Sequence, residues 1–305
     1  MATAFKWRRR RGGGAQSLDR RLRGFLSRKF VFRFVLIILA FIAILPPVYF
    51  HFKLRRFHQV KLKKCSWLNN PPLVCAHGGD ASKAFPNTTG FCLLFMTGRD
   101  LQRISGNSSS KVGYLSAKEI KALDGTHLLP LASHDVTIPS MEDALKLISS
   151  SVQKVVIDAK VGPPSYEKGL AKDILSVVTR TQCKNCIVWA KSDNLARDVI
   201  KQSSDVMVGY IVMMNFSTGT RTNLLRMRDA EVVGIYHGLV DETVVKILHR
   251  RKKKVYAWTV DDEETMHKIL SENVDAIITS DPTLLQSSMR DIRKKCLVDG
   301  FSLGS

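Results

Sequence analysis

Past residue 72 the chain alternates short apolar runs with stretches of helical spacing. The runs LVCAH (73–77), KVVIDAKV (154–161), CIVWAK (186–191), VMVGYIVM (206–213), VVGIYHG (232–238), KVYAWTV (254–260) and VDAIITSD (274–281) are strand-sized. Most are apolar at consecutive positions, which suits strands covered by helices on one side and by a packed interior on the other. Between them, 140–150, 166–179, 194–202, 241–250 and 262–271 carry helical patterning. The first of these opens on Ser140, a cap candidate, with Glu142 in its first turn. Strands alternating with helices of this length predict βα units and a parallel sheet. Seven or eight units over about 220 residues predict a TIM-type (β/α)8 barrel near the short end of its size range.

One interval breaks the rhythm. Gly78 to Gly90 contains Pro86 and shows no helical period, which leaves little room for a crossover and its helix. The run FCLLFM (91–96) would have to serve as strand two, and 97–153 then forms a long approach to strand three. The expected barrel is therefore incomplete or distorted around strand two.

A different pattern occupies the start. Residues 34–52, FVLIILAFIAILPPVYFHF, are uncharged on every face and long enough to cross a hydrocarbon core as one helix. A buried core helix would not be flanked by Arg and Lys on both sides. A cleaved signal peptide is the stronger rival, but the preceding basic region is long and no clean small-x-small site follows. An organelle transit peptide is a minor alternative. The reading is an uncleaved signal anchor, with a basic cytosolic tail (1–33), the span (34–52), a basic linker (53–71), the barrel domain (72–290) and a C-terminal tail (291–305).

Charge supports that division. The formal net charge is +20, yet residues 1–64 hold 17 Lys/Arg against one acid, Asp19, and the remainder is nearly balanced. The basicity belongs to the tail and linker, which argues against a nucleic-acid-binding domain. The heavier basic flank precedes the span, so the positive-inside bias places the N-terminus in the cytosol. The barrel is then luminal or extracellular, on an endomembrane or the plasma membrane. Of six cysteines (65, 75, 92, 183, 186, 296), Cys183 and Cys186 form a lone CxxC that reads as structural, a disulfide in an oxidising lumen. Sequons at Asn87, Asn107 and Asn215 fit the same compartment, with Asn107 and Asn215 as glycosylation candidates.

Several short motifs occur in a fixed order. Cys75-Ala-His77-Gly78-Gly79 is followed by Phe85-Pro-Asn-Thr88, Arg99-Asp-Leu-Gln-Arg-Ile104, Ile138-Pro-Ser-Met-Glu-Asp-Ala-Leu145 and Val156-Ile-Asp-Ala-Lys160. Val255-Tyr-Ala-Trp-Thr-Val-Asp261 and Val274-Asp-Ala-Ile-Ile-Thr-Ser-Asp-Pro282 close the series. In order and position this resembles the glycerophosphodiester phosphodiesterase family, from Pro72 to about Leu285. The resemblance implies hydrolysis of glycerophosphodiesters to glycerol 3-phosphate and an alcohol. It also implies two histidines as acid and base, and a divalent ion (Ca or Mg) held by carboxylates at the barrel mouth.

Carried onto this sequence, the resemblance makes His77 catalytic, Asp158 a metal ligand in place of the family's Glu, and Lys160 and Trp258 substrate-binding. Read without it, His77 could equally be a satisfied structural histidine, Lys160 a solvated charge and Trp258 a packing residue. Asp261 and Asp281 could be rim carboxylates or turn and cap residues. There are departures. Gly78 stands where the family has a phosphate-binding Arg, and Pro86 where it has Glu. The strand-two Glu-x-Asp metal pair has no counterpart in Gly90 to Gly98, and the second histidine falls at or near Thr97. His134-Asp135 resembles the histidine motif but comes too late in the order and reads as loop. The expectation is a membrane-anchored phosphodiesterase-like protein. The alternative is a catalytically impaired splice variant, or a non-catalytic barrel acting as a binding module.

Overall fold

The computed structural model describes residues 28–78, 101–102, 107–122, 139–215 and 217–301. The chain divides into two units, one ending at Val60 and the other running from Lys61 to the end. In the first unit, helix α1 begins; it spans Arg28–Cys65. Its apolar stretch has a mean hydropathy of 2.6, none of it is buried, and it is long and apolar enough to cross a membrane. Pro46 and Pro47 lie inside it.

Among the described residues the second unit has seven strands: β1 (Leu73–Ala76), β2 (Val155–Ala159), β3 (Cys186–Ala190), β4 (Met207–Val212), β5 (Val232–Tyr236), β6 (Lys254–Trp258) and β7 (Ala276–Thr279). Each falls within one of the apolar runs expected to form a strand. The helices are α2 (Ala117–Lys121), α3 (Met141–Ile148), α4 (Leu170–Arg180), α5 (Asp193–Gln202), α6 (Glu242–Arg250), α7 (Glu263–Leu270) and α8 (Pro282–Val298). Local chemistry sets their starts. Ser140 and Asp143 form a reciprocal capping box on α3, and Ser192, Asp241, Asp262 and Asp281 cap α5, α6, α7 and α8.

All pairings are parallel, in the order β1-β7-β6-β5-β4-β3-β2. The sheet curls with helices around it, as in a TIM-type barrel, and β1 and β2 are its two ends. A closed eight-stranded barrel would seat one more strand between them. The run 91–96, expected there, lies outside the described residues.

Strand alternation sorts the core into two layers. Outward residues such as Ile157, Val188, Tyr210, Val233 and Ile277 pack under the helices. Inward ones, Ile187, Trp189, Ile211, Val232, Tyr256, Ala276 and Ile278, fill the interior with Leu73, Cys75, Val156 and Trp258 against them. Trp189 reaches across the interior to β5. A Cβ at Gly234 would stand 2.1 Å from its ring, so only glycine fits there.

Two disulfides are present among the described residues. Cys183 pairs with Cys186, as expected of the CxxC, and Cys65 pairs with Cys296 on α8 across 231 residues of chain. Around the second bridge, Lys63 Nζ pairs with Glu272 at 3.1 Å and Glu242 at 3.3 Å, and Ser66 Oγ donates to Asn273 Oδ1 at 2.9 Å. The segment from Lys61 to Asn69 is thereby fastened to the barrel at the end where the strands begin.

Candidate active site

In a parallel βα barrel the strands' carboxy-terminal ends form the functional mouth. Four residues singled out in the sequence fall there. His77 follows β1, and its backbone N–H donates to the Thr279 carbonyl at 2.8 Å, which extends the β1–β7 pairing by one residue. The same alternation puts Leu73 and Cys75 inside, so His77 shares their face; its side chain is exposed. The chain then leaves through Gly78 at φ +70°, a conformation glycine adopts freely and an arginine would not.

At the end of β2, Asp158 and Lys160 share the inward face with Val156. Lys160 Nζ pairs with Asp158 Oδ2 in a short contact. The other carboxylate oxygen, Oδ1, is buried and has no hydrogen-bond partner among the described residues. A buried acceptor left open in this way asks for a donor or a cation. At the end of β6, Trp258 stands edge-on to Tyr236 with ring centroids 6.2 Å apart, and its indole N–H also lacks a partner. Below the mouth, burial pushes the Cys75 thiol up to about 11, so it is protonated and unreactive near neutral pH.

Asp261 and Asp281 resolve to the turn and cap readings. Asp261 accepts from the Ser280 backbone N–H at 2.7 Å and from the Thr279 and Ser280 hydroxyls, while Asp281 Oδ1 accepts from Leu284 N–H at 2.8 Å. Sequence reading missed Tyr236 and its neighbour His237, whose rings lie 4.5 Å apart at the end of β5. Their position after an apolar run was the available signal. Asn107 and Asn215 are exposed, and each Oδ1 accepts from the hydroxyl and backbone N–H of the serine two residues on. Asn87, Thr97 and His134 lie outside the described residues.

A hard cation takes about six oxygen ligands, several of them commonly carboxylate. Among the described residues no three His, Cys, Asp or Glu side chains gather in reach of one ion. Asp158 offers one open oxygen and already holds Lys160 with the other. These residues do not by themselves make a metal site.

A parallel βα barrel with a histidine and a lysine–aspartate pair at its carboxy-terminal mouth defines the class: a TIM-type barrel with polar mouth chemistry. The chain matches the Glycerophosphoryl diester phosphodiesterase family over residues 92–284, and it belongs to that family. Across 98% of its length and 98% of the relative's, it is 52% identical to glycerophosphodiester phosphodiesterase GDPD4 of Arabidopsis thaliana. That alignment runs over 324 positions, more than the 305 residues here, so the relative carries internal residues with no counterpart in this chain. Two solved structures share the fold. One is an Oleispira antarctica phosphodiesterase in complex with the product sn-glycerol-3-phosphate, with TM-score 0.53, 18% identity and coverage of 72% of this chain and 97% of that one. The other is a glycerophosphodiester phosphodiesterase from Parabacteroides distasonis, with TM-score 0.53, 15% identity and coverage of 73% and 98%.

Proposed function

We propose that this chain acts on glycerophosphodiesters at the carboxy-terminal mouth, splitting them into glycerol 3-phosphate and an alcohol. The observation that carries the reading is the placement of His77 and the Asp158–Lys160 pair. They stand at the same end, and on the inward face, of the two strands that border the sheet opening. In the reaction, water attacks phosphorus, the P–O bond to the alcohol breaks, and the departing oxygen takes a proton. His77 has the chemistry to hold or deliver that proton, because imidazole exchanges protons near neutral pH. Lys160 supplies positive charge against the phosphate, and Trp258 with Tyr236 forms an apolar wall beside it. Family resemblance implies a divalent ion as well; Asp158 Oδ1 is the described atom suited to it.

The test is hydrolysis of glycerophosphocholine by the purified full chain with Ca or Mg, with His77→Ala beside it. Loss of product in the variant supports the site, and equal rates remove His77 from it. A second reading, low or absent turnover in this form of the chain, rests on the sequence, where Gly90 to Gly98 offers no counterpart of the family's Glu-x-Asp pair.

The anchor reading rests on α1 and the charge imbalance about residues 34–52, which together support a single pass with a cytosolic N-terminus and a luminal or extracellular barrel. Exposed sequons at Asn107 and Asn215 fit that side. Protease treatment of sealed vesicles tests it: a barrel digested without detergent means the orientation is reversed.

A further inference from the structure

On the outside of the barrel, away from the mouth, lies an open groove of about 360 Å³. Its wall is apolar: Trp67, Leu68 and Pro71 come from the segment before β1, Val74 from β1's outward face, and Met289 from α8. One edge is different. Arg290 and Arg293 stand three residues apart on α8, both exposed, and neither forms an ion pair among the described residues. In the segment before Trp67, Lys61 is paired with Asp299 and Lys63 with Glu242 and Glu272. Trp67 is 3% exposed, and its buried indole N–H has no acceptor among the described residues. A buried donor without a partner costs stability that an acceptor would restore.

We propose that this groove binds one single-chain anionic lipid from the membrane. Its acyl chain would lie along Trp67, Leu68, Val74 and Met289, and its phosphate between Arg290 and Arg293. Apolar burial attracts the chain, and guanidinium groups suit phosphate oxygens. The lipid source is favoured over free phosphate because most of the groove wall is apolar and would gain nothing from an inorganic anion. The sequence also places an apolar run of membrane-spanning length and a cluster of Lys and Arg just ahead of Trp67. The site is separate from the mouth: Trp67 to Pro71 precede β1, whereas His77 follows it.

The experiment uses the full chain in nanodiscs of zwitterionic lipid, loaded with 1-myristoyl lysophosphatidic acid and read by native mass spectrometry. A phosphate monoester is chosen so that diester hydrolysis cannot consume it. Wild type should retain one molecule, His77→Ala the same, and R290Q/R293Q roughly tenfold less or lower still. Trp67→Phe should retain severalfold less. Millimolar inorganic phosphate should not displace the lipid, and monomyristoylglycerol should be retained weakly. Undiminished retention in R290Q/R293Q overturns the proposal, as does equal retention of monomyristoylglycerol. Displacement by phosphate alone would make the site a simple anion site and overturn the lipid source. Loss of retention in His77→Ala would relocate the lipid to the mouth. If R290Q/R293Q lacks a cooperative thermal transition, Arg293→Gln replaces it with the same readout. Failure of glycerophosphocholine hydrolysis leaves this test unaffected.

Discussion

Asp158 and Lys160 pair across one intervening residue at the end of β2, and the pairing leaves Asp158 Oδ1 buried without a partner among the described residues. The lysine thus stands at the mouth with its charge half-engaged, available to an incoming phosphate. Lys160→Gln should lower kcat/KM for glycerophosphocholine by about tenfold, the worth of one charge contact of about 1.4 kcal/mol. Thermal stability should hardly change, because half-exposed ion pairs contribute little to folding. An unchanged kcat/KM would take Lys160 out of substrate binding.

The opening between β1 and β2 carries a second expectation. A complete βαβ unit takes roughly 30 residues or more. The long alignment with the Arabidopsis relative fits a shortfall in this chain. A longer form should exist, with extra residues between Thr88 and Arg99 that carry a strand ending in Glu-x-Asp and a histidine. Full-length transcript sequencing checks the first part. Enzyme assays check the second: the form described here should turn over more slowly than about 1 per second, and the longer form within the usual enzyme range. Transcripts that all read through the short form would contradict it.

Gly234 on β5 lies under the Trp189 ring, where an added methyl would sit 2.1 Å from a ring carbon. Gly234→Ala should destabilise the barrel by about 1–3 kcal/mol, the usual cost of overpacking a filled interior. Trp189→Phe in the Gly234→Ala background should recover part of that loss, because the smaller ring leaves the space. Chemical denaturation of the four chains measures the coupling.

Cys65 and Cys296 close a loop of 231 residues, while Cys183 and Cys186 close a loop of three. In the chain-entropy view, stabilisation grows with the logarithm of loop length, and the long bridge should contribute about 5.5 kcal/mol. C65S/C296S should therefore lose far more stability than C183S/C186S. Denaturant midpoints under non-reducing conditions decide between them.

Asp262 caps α7, and the backbone N–H of Thr265, 2.8 Å from its Oδ1, holds its carboxyl below the usual carboxylate range. A carboxylate depressed in the folded state adds stability above its unfolded value, and the gain disappears as pH falls through the folded one. Asp262→Asn should flatten the loss of thermal stability between about pH 5 and pH 3. Parallel curves for the two proteins in that window would show that the cap is not titrating.

The sequence by itself determined the described strands and, of the described barrel helices, α3 to α7. Apolar runs and helical spacing are local, and every described strand from β1 to β7 sits within a run the pattern marked. Cap residues such as Ser140 and Asp241 act within one turn, so helix starts were legible too. His77, Asp158, Lys160 and Trp258 were named because ordered motifs resembling the glycerophosphodiester phosphodiesterase family fall on them. Tertiary structure decided the rest, because those facts depend on residues far apart in the chain. Only the β1–β7 and β2–β3 pairings reveal that the opening falls between β1 and β2. Only the approach of Ser280 shows that Asp261 is spent on a turn, and only the folded chain brings Cys65 to Cys296. The groove beside Arg290 is of the same kind: its two walls lie more than 200 residues apart in the sequence and meet because α8 packs beside β1. Local patterning reports which face of an element is apolar; which neighbour covers that face is fixed by packing across the whole chain.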